Sequence, residues 1–211
     1  ASHPNYDLHL EHQVSIVGEF KRRVVHNLSA FPGTGLEAVR RVYAHPQAAA
    51  QCERFLRTHP EWSILQVYDT AGSVKMIRDE GARDAAAIAS AEAAKHYGME
   101  ILREAIESDP QNYTRFIVLA REGAKNPAAD KVSLAYGTRN EPGALLRTLQ
   151  IFADRGVNLL KLESRPIAGK PWEYLFYVDL AGNLAAEKVA EALAALGKET
   201  TLLRVLGSYP S

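Results

Sequence analysis

The chain has 211 residues, with 25 Lys plus Arg against 25 Asp plus Glu, so its formal net charge is zero. That balance, without any long run of like charge, argues against a nucleic-acid partner. No apolar stretch approaches the ~18 residues of a membrane span, so a soluble, cytoplasmic protein with no membrane partner is expected. A 46% hydrophobic content supports true cores, and the single cysteine, Cys52, excludes an internal disulfide. The length fits two modest domains.

The opening "ASHPNYDLHL" is neither a secretion signal nor begun by Met, and reads as a cut or processed end. His9 and His12 stand three apart in a helical pattern, a spacing that can ligate a metal. Without a Cys or a third His nearby a solvated helix face is expected, and no metal site. "VSIV" (14–17) and "RVVHNL" (23–28) predict two short strands, followed by the turn cluster "FPGTG". Gly33 and Gly35 form a lone G-x-G that does not make a phosphate loop.

A strand then gives way to a helix opened by Pro46, whose missing N–H costs nothing there. Cys52, Phe55 and Leu56 share the apolar face of that helix, so Cys52 is expected to be a packed core residue and not a nucleophile. Strand 63–68, helix 71–81, strand 85–90 and a helix ending at Gly98 continue the alternation, which predicts an α/β layer with parallel strands. "NYTRFIVLA" (112–120) returns as a strand so continuously apolar that burial of both faces is expected. "EGAKNPAAD" (122–130) reads as a linker, giving domains at 1–122 and 131–211.

From Lys131 the rhythm changes. "VSLAYGT" is a strand, and Asn140 is the expected N-cap of a helix that shows Leu145, Leu149, Phe152 and Ala153 on one face and ends at Gly156. "NLLKLES" points Leu160 and Leu162 one way and Lys161 and Glu163 the other. The strand is expected to stop over Glu163, Ser164, Arg165 and Pro166, since proline has no donor to continue a ladder. Trp172, Tyr174, Phe176, Val178 and Leu180 then alternate with Glu173, Leu175, Tyr177 and Asp179. A second helix carries Val189, Leu193 and Leu196, and "TTLLRVLGS" closes the order βαββαβ, a ferredoxin-like sandwich.

Several residues could carry chemistry. Gly143 sits where the first helical N–H groups are free and leaves room for an anionic ligand. Arg165, beside Glu163, could form a bidentate pair with an acid or with a neighbouring subunit. On residue physics alone the structural alternative is favoured: a packing glycine and a rim salt bridge. Thr114 and Arg115 open their strand either as a cap or as a ligand contact near a strand end. His26 and His45 border strands and are expected to be hydrogen-bonded structural histidines.

"NYTRF" (112–116) resembles the Thr-Arg-Phe signature of prephenate dehydratases. "NEPGALL" (140–146) followed by "ESRP" (163–166) resembles the phenylalanine-binding ACT domain fused to them. "YDLHL", "SIVGE", "HPQAAAQC", "YDTA", "AAIAS" and "VLGSYPS" extend the likeness along essentially the whole chain.

The resemblance implies a two-lobed, periplasmic-binding-protein-like α/β catalytic domain followed by an ACT domain. It implies decarboxylative dehydration of prephenate to phenylpyruvate, without cofactor, because loss of carbon dioxide itself pushes electrons toward the departing hydroxyl. Thr114 matches the catalytic hydroxyl, Arg115 would either hold the dicarboxylate or support the loop, and Gln47 and Thr70 match polar positions of the substrate cleft. A hydroxyl is a weak acid, so a short hydrogen bond in a desolvated cleft is its expected contribution. The resemblance further implies ACT domains that pair, in a homodimer or in a tetramer of such dimers, with L-phenylalanine bound at their interface as feedback effector. Asn140, Glu141, Gly143, Ala144 and Leu145 would line one side of that site, and Glu163, Ser164 and Arg165 the other. Neither the family's "GPxGTF"-like nor its "PxENS"-like segment is found here. A chain lacking most of the first lobe is therefore expected, and an amino-acid-binding module that senses phenylalanine without turnover is the alternative.

Overall fold

The computed structural model describes residue 8 and residues 12–123, 126–167 and 170–211. His9, and with it the helix expected over "NYDLHLEHQ", lies outside the described residues, as does the Trp172 side chain. The chain packs as two compact units, residues 21–114 and residues 1–20 with 115–211, and passes from one to the other at Phe20–Lys21 and at Thr114–Arg115.

Residues 21–114 build a five-stranded sheet in the order β4-β3-β5-β2-β6. Its strands are β2 (Asn27–Ala30), β3 (Arg41–Ala44), β4 (Ser63–Gln66), β5 (Ala85–Ala89) and β6 (Glu100–Arg103). β3 runs parallel to both β4 and β5, and β2 runs antiparallel to β5 and β6, so the alternating part is parallel and the sheet as a whole is mixed. Four helices punctuate it: α1 (Pro46–Gln51), α2 (Glu53–Leu56), α3 (Thr70–Glu80) and α4 (Ala91–His96). Their ends follow local chemistry. Asp69 caps α3 through Gly72 N, Ser90 caps α4 through Ala93 N, and Gly81 closes α3 with φ +61, a conformation that favours glycine. Leu28, Val42, Ala86, Ile88, Trp62 and the fully buried Cys52 form one core of this unit.

The other unit contains the four-stranded sheet β11-β8-β10-β9. β8 (Lys131–Gly137), α5 (Ala144–Asp154), β9 (Leu159–Ile167), β10 (Lys170–Ala181), α6 (Glu187–Glu199) and β11 (Leu202–Tyr209) give βαββαβ, with every neighbouring pair antiparallel. Leu134, Tyr136, Phe176, Val178 and Leu180 pack against Phe152, Val189 and Leu196 of the two helices. Ala135, Leu175, Tyr177 and Tyr209 face the other way with Ile16 and Leu206.

Four expectations require correction. The first of the two expected strands runs further than 14–17, as β1 (Ser15–Arg23), because its mostly polar stretch after Gly18 is carried by pairing with β7 (Tyr113–Ala120), and the second begins only at Asn27, as β2. β7 is not buried on both faces. β1 and β7 form a two-stranded ribbon whose Phe20, Phe116, Val118 and Leu119 are 43–55% exposed, with the Phe20 and Phe116 rings stacked at 4.9 Å. Asn140 does not cap α5, which begins three residues later behind Gly143 at φ +79. Finally, β9 does not stop at Glu163–Pro166. It runs to Ile167 with Pro166 opposite Tyr174, and as the sheet's edge strand it tolerates a residue without an N–H, with a register irregularity between Lys170 and Tyr174 of β10.

Candidate active site and effector site

Thr114 is the second residue of β7 and is exposed, as is Tyr113 before it. What holds the strand there is a hydrogen-bonded chain within residues 21–114. His26 Nε2 lies 2.8 Å from Gln51 Oε1, Gln51 Nε2 donates to Asn112 Oδ1 at 3.0 Å, and the Asn112 carbonyl accepts from Val24 N at 2.8 Å. Because the Gln51 amide nitrogen donates to Asn112, its oxygen is left to accept, which assigns the His26 proton to Nε2. His26 is buried, and its backbone N–H donates to Glu107 Oε2 at 3.0 Å. The Glu107 carboxylate is itself buried and paired with Arg23 at 3.2 Å.

Beside this chain is a pocket of about 410 Å³ whose walls include Gln51, Glu107, Asn112 and Tyr113. Neither Gln47 nor Thr70 nor Thr114 is among its lining residues. Gln47 is exposed on α1, where its N–H donates to His45 Nδ1 at 3.2 Å. Thr70 is half-buried at the first position of α3 and lends its carbonyl to Ser73 Oγ at 2.6 Å. Gln51 is the polar residue that sequence reasoning missed. It lies one helical turn beyond Gln47 inside the quoted "HPQAAAQC", and that i, i+4 spacing was the available signal.

Arg115 belongs to a different constellation, inside the other unit. Its Nε donates to Glu19 Oε2 at 2.5 Å, Nη1 to Asp179 Oδ2 at 2.5 Å and Nη2 to the Tyr209 hydroxyl at 2.7 Å. Lys131 Nζ completes the Glu19 pair at 2.5 Å, and Ser133 Oγ bonds both Asp179 at 2.5 Å and Tyr209 at 2.6 Å. Two cations and two carboxylates therefore balance. Burial alone would push the Glu19 carboxyl up, but the Lys131 and Arg115 bonds and charges outweigh it and hold it below its usual range. On Tyr209 desolvation prevails and raises the hydroxyl to about 12.

The residues expected to hold an effector gather at one end of the ACT sheet. Gly137 and Arg165 are both in register with Leu175, which places them on either side of β10, two strand spacings or about 10 Å apart. The loop that leads to α5 leaves from that end. Asn140 and Glu141 are exposed in it, Glu141 pairs with Arg147, and Ala144 and Leu145 open the helix whose first-turn N–H groups lack intrahelical acceptors. Glu163 and Arg165 point to the same face of β9, with Glu163 bonded to Lys161 at 2.9 Å and Ser164 on the opposite face. Among the described residues no three His, Cys, Asp or Glu side chains are arranged to hold a metal ion.

The prephenate dehydratase family model matches residues 2–124 and the ACT domain model residues 132–198. The chain belongs to the prephenate dehydratase family, with an ACT domain following. It is 45% identical, over 99% of its length, to arogenate dehydratase/prephenate dehydratase 2, chloroplastic, of Arabidopsis thaliana, and spans 57% of that relative. A prephenate dehydratase from Arthrobacter aurescens solved in complex with L-Phe is 34% identical with a TM-score of 0.85, over 95% of this chain and 67% of that one. A structure described as GqqA, a novel type of quorum quenching acylase, is 36% identical with a TM-score of 0.85, over 97% of this chain and 75% of that one.

Proposed function

We propose that this protein catalyses the decarboxylative dehydration of prephenate to phenylpyruvate in phenylalanine biosynthesis, and that L-phenylalanine bound at the ACT domain regulates it. The carrying observation is Thr114, exposed on β7 and preceded by Asn112, which is fixed by both its side chain and its backbone. In the reaction the bond from ring to carboxylate breaks, its electron pair becomes part of the aromatic ring, and the ring hydroxyl leaves. The Thr114 hydroxyl donates to that departing oxygen, and Gln47 and Thr70 contribute polar contacts to the substrate. A donor aimed at developing charge in a water-poor site is worth about 100-fold or more in rate.

L-Phenylalanine is read as the effector because the ACT sheet sets a cationic strand end, Arg165, near a helix start behind a glycine. The Arthrobacter relative was solved with L-Phe. Asn140, Glu141, Gly143, Ala144 and Leu145 contribute one wall, and Glu163, Ser164 and Arg165 the other. Leu160 and Leu162 stand 51% and 43% exposed on edge strand β9 and suit a homodimer formed through the ACT domains. An effector acts at a distance only by differential affinity for two arrangements of the protein.

The decisive experiment follows phenylpyruvate formation from prephenate, with arogenate as competing substrate, in wild type and Thr114→Ala, with calorimetric titration of L-phenylalanine. Turnover that Thr114→Ala reduces about 100-fold and that L-phenylalanine lowers supports both parts of the reading. Binding of L-phenylalanine without turnover favours the second reading, a phenylalanine-sensing module, which the 57% coverage of the Arabidopsis relative keeps open.

A further inference from the structure

We infer that Lys161 is a charge switch for the effector: the ammonium of L-phenylalanine takes the Glu163 carboxylate from it, and the displaced lysine turns across the ladder to Asp179 and loosens the hold of that carboxylate on Arg115. This rests on the reading of the β9 strand end as the effector site. It lies wholly within the unit of residues 1–20 and 115–211.

The register of the ACT sheet sets the parts on one face. Lys161, Glu163 and Arg165 of β9 stand opposite Asp179, Tyr177 and Leu175 of β10, and Ser133 of β8 stands opposite Asp179 from the other side. Directly opposed residues share a face with their Cβ atoms about 5 Å apart, so Lys161 has Asp179 as well as Glu163 within reach. Lys161 pairs with Glu163 at 2.9 Å, and their side chains are 29% and 24% exposed, so a ligand can reach the pair from solvent. A zwitterion that gives its carboxylate to Arg165, two residues along on that face, brings its ammonium to Glu163.

The receiving end is sensitive to such an arrival. Asp179 accepts from Ser133 and from Arg115 Nη1, and Glu19 from Arg115 Nε and Lys131, each at 2.5 Å. Two carboxylates are matched there by two cations, so a third cation leaves a surplus of positive charge where little water screens it. The bond that gives way is the one for which Lys161 competes, Arg115 Nη1 to Asp179 Oδ2, and Arg115 opens the stretch of β7 that belongs to this unit. The two arrangements differ in the partner of one lysine, which is the differential interaction through which a ligand moves a conformational equilibrium.

The test follows hydrogen exchange of the amides of residues 116–119 in the full chain, with and without L-phenylalanine, alongside calorimetric titration. Saturating L-phenylalanine should quicken that exchange about fivefold or more in wild type. In Lys161→Gln it should bind without that effect, and Lys161→Arg should keep the response. A second arm needs no ligand: Glu163→Gln should quicken the exchange by itself, and Glu163→Gln combined with Lys161→Gln should restore wild-type protection. If L-phenylalanine does not bind, the effector reading fails on its own and the ligand-free arm still decides. Wild-type exchange in Glu163→Gln overturns the inference, as does bound L-phenylalanine that leaves wild type unchanged or that acts equally on Lys161→Gln.

Discussion

His26 Nε2 and Gln51 Oε1 meet at 2.8 Å, and Gln51 passes the constraint on to Asn112, two residues before Thr114. The chain works only with the proton on His26 Nε2, because the other tautomer would set two acceptors against each other. Gln51→Ala leaves His26 and Asn112 without their shared partner, and a buried group left unsatisfied costs about 1–3 kcal/mol. We expect that loss in urea unfolding. We also expect a fall in kcat larger for Gln51→Ala than for Gln51→Glu, whose carboxylate still accepts from His26. Equal kinetics in wild type and Gln51→Ala would remove the chain from any role in placing Thr114.

Cys52 is a second check. Burial, reinforced by the charge of Glu107, raises its thiol to about 12, so at pH 8 the thiolate fraction is negligible. A thiol reagent at pH 8 should leave the native protein unlabelled and modify one cysteine only after urea unfolding. Rapid native labelling would mean that the packing of Cys52 against the sheet opens readily.

What the sequence discloses here is what neighbouring residues decide. Pro46 opens α1, Gly81 ends α3, and period-2 alternation over Tyr174–Leu180 sorts the two faces of β10. The βαββαβ order and the resemblance carried by "NYTRF" and "ESRP" are legible for the same reason. What escapes is non-local. Gln51 meets His26 and Asn112 across 25 and 61 positions, and Arg115 meets Asp179 and Glu19 across 64 and 96, so no window of periodicity contains those contacts. Pro166 misleads because its effect depends on whether β9 is an edge, which is a property of the sheet order. Asn140 is a good cap by composition, yet Gly143 supplies the left-handed turn that sets where α5 begins.

The Glu19 carboxyl gives a pH prediction with a definite sign. Its folded pKa is depressed, so the stabilisation is present above the unfolded value near 4.5 and is lost as pH falls through the lower folded value. Wild type should therefore lose stability on acidification below about pH 4.5. Glu19→Gln should be destabilised by about 3–5 kcal/mol near neutrality, because Lys131 and Arg115 lose a buried counter-charge. It should also show a flatter acid limb. Parallel acid curves for the two proteins, read by circular dichroism, would show that Glu19 is not a main source of the acid sensitivity.

Two glycines separate close approach from helix propensity. Gly207 lies at a register shift in β11, and a Cβ there would run into the carbonyl oxygen of Ile16, a backbone atom that cannot swing aside. Gly197 lies in α6, where a Cβ would meet only Leu203 Cδ2 at an ordinary 3.7 Å. Gly207→Ala should therefore cost about 1–3 kcal/mol or more. Gly197→Ala should stabilise by about 0.5–1 kcal/mol, since alanine gives up less backbone entropy in a helix. Thermal unfolding of the two variants side by side checks both signs. A neutral Gly207→Ala would mean that Ile16 and the strand beside it yield without cost, and that β1 is held less tightly against β11 than the close approach requires.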